Sequence, residues 1–296
     1  MKPIPSLHKL FLFPLALLVF ALIISAQRAP MAETEMTLNA AISSGTIEAE
    51  AVSIGRYSGK SVKLAITNNS NKKLKIVVPA GTTYVPGEDE EQTLIQLKED
   101  FIVLEPNGSK THMIAAFCTE ASDMSPSDGG TFKISKNTNK KLTDAIGYIA
   151  DKDIDGKSFQ DAVWAITDNR SVSHIQPTNP ATQEFRKYVA ELTNQKNTWY
   201  TSPQHRVVNE QRRIVSQTII VRGKVEFPSD GKSIIRQEVI DKDSIVRFEM
   251  PPATPRKSQK VTMDFSVRVR GWEPGEYTLR IMKDDEEIKT YPFVLS

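Results

Sequence analysis

The chain has 296 residues with 38 basic and 36 acidic side chains, which gives a formal net charge of +2. A balance so close to zero provides no basic field for binding nucleic acid or an anionic membrane surface. Its single cysteine, Cys118, excludes an intramolecular disulfide framework, so the fold must depend on apolar packing. The length favours two domains over one.

Residues 1–26 have the pattern of a secretory signal peptide. A basic start with Lys2 and Lys9 is followed by an apolar stretch from Leu10 to Ala26. We predict cleavage after Ala26 and export to the periplasm, the cell surface or the extracellular space of a bacterium. The alternative is an uncleaved N-terminal segment, which would be the only attachment to a membrane. Residues 27–45 are predicted to form a tether.

Residues 46–198 are predicted to form a β-sandwich with a helical appendage. The segment Ser61–Thr67 alternates apolar and polar residues, which is typical of a strand with one buried face. Short runs of similar character continue to Cys118 and are separated by turn-forming residues. Beyond them the apolar residues follow helical spacing, and three helices are predicted over 142–150, 158–167 and 180–192.

The C-terminal part of the chain returns to strand-like alternation. Residues 199–215 are polar and are predicted to be a linker. Six strands are predicted from Ser216 onward, and the run from Val261 to Val269 alternates without a break. Residues 216–296 are therefore predicted to form an immunoglobulin-like β-sandwich. The whole chain is predicted to be mainly β, with two sandwich domains.

An acidic turn precedes the second predicted helix. Asp151, Asp153 and Asp155 stand at alternate positions, and Gly156 is sixth in the segment. This spacing matches the first half of an EF-hand calcium loop, and Asp161 lies one residue before the position of the bidentate glutamate. The four carboxylates are therefore a candidate calcium site. The alternative is a solvated acidic turn that caps the following helix. No other cofactor is required.

Cys118 has three interpretations in an exported chain: a buried small apolar residue, half of an intermolecular disulfide, or a reactive group. A cysteine nucleophile would need a histidine base, and His112 lies six residues earlier in the same predicted strand. At strand rise, that separation is roughly 20 Å. Metalloprotease, zinc and hydrolase signatures such as His-Glu-x-x-His, paired Cys-x-x-Cys and Gly-x-Ser-x-Gly are absent from the sequence.

Two short motifs carry a family resemblance. The Phe117-Cys118 element and the downstream Phe159-Gln160-x-x-Val163-Trp164 element together resemble the bacterial thioester domains of surface adhesins. In that family the cysteine sulfur and the glutamine carbonyl join in an internal thioester, with loss of ammonia. The resemblance implies that Cys118 and Gln160 form the thioester, with Phe117, Val163 and Trp164 as supporting packing.

These patterns together predict an exported binding or adhesion protein without catalytic turnover. Its partner would be a protein or another surface ligand, and a thioester would tether it covalently. The first domain would carry the contact site, and the second would present or attach it. One alternative is a calcium-stabilised module that binds without covalent chemistry. The other is a cysteine-dependent enzyme.

Overall fold

The structure, a computed structural model, describes residues 33–296. The predicted signal peptide, residues 1–26, lies outside the described residues. Within residues 33–296 no helix is long and apolar enough to cross a membrane. The end of the predicted tether is structured, because Leu38 and Ala41 are fully buried in the core. Just before these two residues, the short strand Thr34–Thr37 pairs in parallel with the later strand Leu74–Val78.

Nine strands and one short helix form the first half of the described chain. Six of the strands close into a barrel in the order β2-β3-β8-β6-β5-β9, and β1-β4-β7 form a separate three-stranded sheet. Closure follows from the long strand β8, whose first part pairs with β3 and whose last three residues pair with β6. The bounds are β1 Thr34–Thr37, α1 Leu38–Ser43, β2 Ile47–Ile54, β3 Lys60–Asn68, β4 Leu74–Val78, β5 Thr82–Pro86, β6 Leu94–Gln96, β7 Asp100–Leu104, β8 Ser109–Cys118 and β9 Asp128–Lys136.

Three longer helices follow at the predicted positions, namely α2 Lys140–Ile149, α3 Gly156–Thr167 and α4 Pro180–Leu192. Each begins after a side chain that accepts a hydrogen bond from a main-chain N–H of the first turn, and these caps are Asn139, Asp155 and Asn179. A 3₁₀ turn, Val172–His174, connects α3 to α4. The caps fix where each helix starts and therefore which residues face the barrel.

The C-terminal half consists of nine strands in three sheets. β10-β13-β16 form one sheet, β15-β14-β17-β18 form another, and β11-β12 form an isolated hairpin. The predicted linker, 199–215, thus contains strands. The bounds are β10 Tyr200–Thr201, β11 Gln204–Val208, β12 Ile214–Thr218, β13 Ile220–Ser229, β14 Ile235–Asp241, β15 Val246–Glu249, β16 Ser258–Arg268, β17 Gly275–Lys283 and β18 Glu286–Leu295. The chain is mainly β, as predicted.

Buried apolar residues form two clusters. The first lies inside the barrel and beneath the helices, and runs along the chain from Leu38 to Ala190. The second contains residues from both larger C-terminal sheets and runs along the chain from Tyr200 to Leu295. Ile214 of the hairpin belongs to the first cluster, although it follows the helices in the chain. The β11-β12 hairpin therefore folds back over the helical side of the barrel.

Candidate functional site

Cys118 is the last residue of β8 and pairs with Leu94 of β6. Its side chain is fully buried. Burial, with a smaller contribution from the nearby Glu120 carboxylate, raises the pKa of the Cys118 thiol well above its usual range. The thiol is therefore protonated at neutral pH and shielded from solution, unlike an exposed nucleophilic thiolate.

The Gln160 side chain lies directly against the Cys118 backbone. Gln160 Nε2 donates to the Cys118 carbonyl oxygen at 2.8 Å, and the Cys118 N–H donates to Gln160 Oε1 at 3.1 Å. Gln160 is only 1% exposed, so both hydrogen bonds lie in a dry environment. The fold thus joins two residues that are 42 positions apart. It presents the side-chain carbonyl of Gln160 to a main-chain donor, which polarises that carbonyl.

Aromatic packing fixes α3 against the end of β8. The Phe117 and Phe159 rings lie 5.9 Å apart, centroid to centroid. Gly156, the first residue of α3, approaches Phe117 so closely that an added Cβ would lie 3.1 Å from the ring. Val163 and Trp164 are both fully buried one turn further along the helix. The start of α3 is therefore held at the distance that lets Gln160 reach Cys118.

Trp164 is the centre of a buried stack that the sequence analysis did not predict. Tyr57 stacks on one side with ring centroids 6.2 Å apart, and the Arg206 guanidinium lies 4.6 Å from the indole centroid. Arg206 also forms an ion pair with Asp161, one turn before Trp164 on α3. Both side chains are almost completely buried. Burial lowers the pKa of the Arg206 guanidinium to about 10.

A cavity of about 440 Å³ opens beside Gln160. Its walls come from Phe117 and Gly156, from Tyr57–Gly59, and from Gln204–Arg206 of the hairpin. Lys157 also lines it, and burial together with the charge of Arg206 lowers the pKa of its ammonium group. Gln160 is itself one of the residues that line this cavity.

The structure does not bring the four predicted calcium ligands together. The carboxylate of Asp155 caps α3 by accepting from the Ser158 N–H at 2.9 Å, and Asp151 pairs with Lys152. Asp161 pairs with Arg206 instead, and Asp153 accepts a hydrogen bond from Asn179 Nδ2 through its main-chain carbonyl oxygen. Across residues 33–296 there is no group of three or more His, Cys, Asp or Glu side chains arranged to hold a metal ion. The acidic turn acts instead as a helix cap.

The proposed histidine base lies away from the cysteine. His112 Nε2 contacts Asp100 Oδ2 at 2.7 Å, and this pair is partly exposed on the side of the barrel. Six residues of extended strand, roughly 20 Å, separate His112 from Cys118. A Cys118–His112 dyad is therefore incompatible with the geometry of β8.

A different histidine, His174, is buried and is expected to make folding sensitive to acid. Burial and the Arg170 charge lower the pKa of His174 to about 4. At pH values between 6.5, the ordinary pKa, and about 4, His174 takes up a proton in the unfolded chain and does not in the folded chain. The free energy of unfolding should therefore fall by about 3 kcal/mol as the pH falls through this window.

This pH dependence can be measured by urea unfolding at pH values from neutral to acidic. His174 is 4% exposed, and its Nε2 lies 3.1 Å from Gln204 Nε2 of the hairpin. His174→Gln removes the titrating group and is expected to flatten the pH profile over this range. An equally steep profile in the variant would assign the acid sensitivity to other groups.

No protein-family model matches the chain, and no curated protein matches it. Among solved structures, the chain has a weak likeness to DesR, a β-glucosidase from Streptomyces venezuelae in complex with D-glucose, at 10% identity and a TM-score of 0.16. That comparison covers 85% of this chain and 48% of the other, so the chain spans about half the length of that structure. At this TM-score the likeness carries no argument about fold or function.

Proposed function

We propose that this protein is an exported binding or adhesion protein without catalytic turnover, which tethers itself to a surface partner through a Cys118–Gln160 thioester. The observation that carries the proposal is the pair of hydrogen bonds between the Gln160 carboxamide and the Cys118 backbone. Here the carboxamide is held, buried, against the one residue that carries a thiol.

The chemistry balances without an oxidant or a metal. In thioester formation the Cys118 sulfur attacks the side-chain carbonyl carbon of Gln160, the carbon–nitrogen bond breaks, and Nε2 leaves as ammonia with the thiol proton. The Cys118 N–H, already 3.1 Å from Oε1, stabilises the negative charge that develops on that oxygen. An amine of the partner then attacks the same carbon. A new amide forms, the carbon–sulfur bond breaks, and the Cys118 thiol is regenerated.

Burial suits a stored acyl donor of this kind. A thioester at this position would be screened from water by the Phe117–Phe159 contact and by the hairpin that carries Arg206. The cavity of about 440 Å³ beside Gln160 is wide enough for a primary amine at the end of an extended side chain. Water exclusion together with one narrow route favours reaction with a bound partner over hydrolysis.

In this proposal, the C-terminal half of the chain is a module that presents the covalent site. We propose an immunoglobulin-like sandwich for residues 216–296, in which the pair β13-β16 and the sheet β15-β14-β17-β18 face each other across the second apolar cluster. The barrel and helices of residues 46–198 carry the covalent site. Export through the N-terminal segment would place that site outside the bacterial cytoplasm.

Intact-mass spectrometry of the purified protein tests the thioester. We expect a mass lower than the calculated mass by one ammonia molecule, and the full calculated mass for both Cys118→Ala and Gln160→Ala. Incubation with methylamine should add one methylamine to the native protein and nothing to either variant. Gln204→Ala is the matched control, because Gln204 lines the same cavity without contacting Cys118, and it should keep the deficit. The full calculated mass in the folded native protein would overturn the proposal.

A further inference from the structure

A second cavity, of about 550 Å³, lies between α4 and the outer face of strand β13. We call it the Arg186 cleft. Gln183 and Arg186 of α4 form one wall, Arg222–Lys224 of β13 and Asp264 of β16 form the other, and residues 197–199 lie between them. It is separate from the Cys118 site, with which it shares no lining residue. Its position between the two apolar clusters is typical of ligand sites.

Arg186 is a buried cation without an acidic partner. The residue is 6% exposed, and its Nη2 donates to the carbonyl oxygens of Thr198 at 3.0 Å and Tyr200 at 2.7 Å. Its Nε is buried without a hydrogen-bond partner. Among residues 33–296 no carboxylate forms an ion pair with it, although buried charges are ordinarily paired. A ligand anion in the cleft would supply the missing negative charge.

Two more cations face the same cleft. Arg222 and Lys224 are two positions apart on β13, so they project from the same face of the strand, and both are exposed. Neither forms an ion pair within residues 33–296. Asp264 stands opposite Lys224 in the β13-β16 register and is the only carboxylate that lines the cleft in the described chain. Three cations against one anion make the cleft attractive to a negatively charged ligand.

The remaining lining groups include the Trp199 ring and the amide side chains of Gln183 and Asn197. Trp199 packs onto Gly223, where an added Cβ would lie 2.6 Å from the indole, and its Nε1 donates to the Pro292 carbonyl oxygen at 2.6 Å. This packing fixes the wall between α4 and β13. Gln183 and Asn197 add amide groups that both donate and accept hydrogen bonds. Such groups match the alternating donor and acceptor pattern of sugar hydroxyls.

We propose that the Arg186 cleft binds a carboxylate-bearing sugar. The planar guanidinium of the exposed Arg222 suits a carboxylate, which accepts two parallel hydrogen bonds from such a fork. Arg186, whose Nη2 already donates to Thr198 and Tyr200, adds a second positive charge. The amides of Gln183 and Asn197 bind the hydroxyl groups, and the cavity volume is within the range of small-molecule sites. The inference does not depend on the thioester, because Cys118 and Gln160 lie outside the cleft.

Isothermal titration calorimetry of the full mature protein with sodium D-glucuronate tests this site. We expect saturable binding of D-glucuronate, no saturable binding of D-glucose at the same concentration, and an affinity at least about tenfold weaker in Arg222→Gln, which loses a charge-assisted contact. Because Arg222 is exposed, this variant is expected to fold. Arg256→Gln is the matched control, since Arg256 is an exposed arginine outside the cleft, and it should bind like the native protein.

Two further variants and a second anion complete the binding experiment. Arg186→Gln, with its fold checked by circular dichroism, is expected to abolish binding, and Cys118→Ala is expected to leave it unchanged. Sodium sulfate tests whether charge alone is recognised. Equal binding of sulfate and D-glucuronate would overturn the sugar as ligand, and so would equal binding of D-glucose. Absence of saturable D-glucuronate binding at tens of millimolar would overturn the site, at a concentration where weak sugar sites are about half filled.

Discussion

Trp164→Ala is expected to lower the free energy of unfolding by about 3–5 kcal/mol, the range for a large aromatic residue removed from a packed core. Trp164 is fully buried in the first apolar cluster. The variant would lose the contact area of the indole, the stacking with Tyr57 and the cation–π contact with Arg206. It would also leave a cavity between α3 and the hairpin, directly behind the Cys118 site.

Urea unfolding followed by circular dichroism measures this loss, with Trp272→Ala as the control. Trp272 is only partly buried at the edge of the second cluster, where it packs on Tyr277. Its removal deletes the same side chain from a site that water already reaches, so we expect a clearly smaller loss. If the two variants were equally destabilised, Trp164 would not be the centre of packing that its burial indicates.

Local patterns were enough to predict the strands and helices that matter for the site. The alternation over Ser61–Thr67 marks β3, because a strand with one buried face must place apolar residues at every second position. Asn179 followed by Pro180 marks the start of α4, because a capping side chain and a fixed φ both favour a first helical turn. The motif around Gln160 also pointed to Cys118, and the two residues are in contact.

Long-range contacts account for what the sequence analysis missed. The polar character of residues 199–215 predicts a linker, yet this range contains β11, which carries Arg206, and the start of β12. Val207 and Val208 of β11 are exposed, so the strand lacks the alternation of a half-buried strand. The hairpin is held by the Arg206–Asp161 and Arg212–Glu91 ion pairs and by the buried Ile214, and these long-range contacts have no local sequence signal. The barrel was missed for a similar reason. Closure depends on β8 pairing with both β3 and β6, which strand spacing alone does not specify.

Asp161 shows that the role predicted from a residue's position in the sequence can differ from its role in the fold. Its place near the acidic turn suggested a calcium ligand, yet on α3 it lies one turn before Trp164 and faces the hairpin. Residues three apart on a helix share a face, so Asp161 and Trp164 present a carboxylate and an aromatic ring to the same guanidinium. This arrangement connects α3, which carries Gln160, to the strand that walls the neighbouring cavity.

Asp161→Asn is therefore expected to destabilise the protein by about 3–5 kcal/mol, because it leaves Arg206 buried and charged without its partner. Replacing both residues, as Asp161→Asn with Arg206→Met, removes the uncompensated charge and should recover a large part of that loss. Urea unfolding of the two variants and the native protein gives both values. Asp144→Asn is the control, because its pair with Lys140 is exposed and is expected to contribute at most about 1 kcal/mol.

The double variant separates charge burial from simple packing. If removal of Arg206 added a second, independent loss instead of restoring stability, the ion pair would be contributing net stability through its geometry, and the desolvation argument would be wrong. The single variants also test the Cys118–Gln160 site. Because Arg206 lines the cavity next to Gln160, Asp161→Asn is expected to loosen the hairpin and to speed the reaction of any thioester with methylamine or water, while Asp144→Asn leaves that rate unchanged.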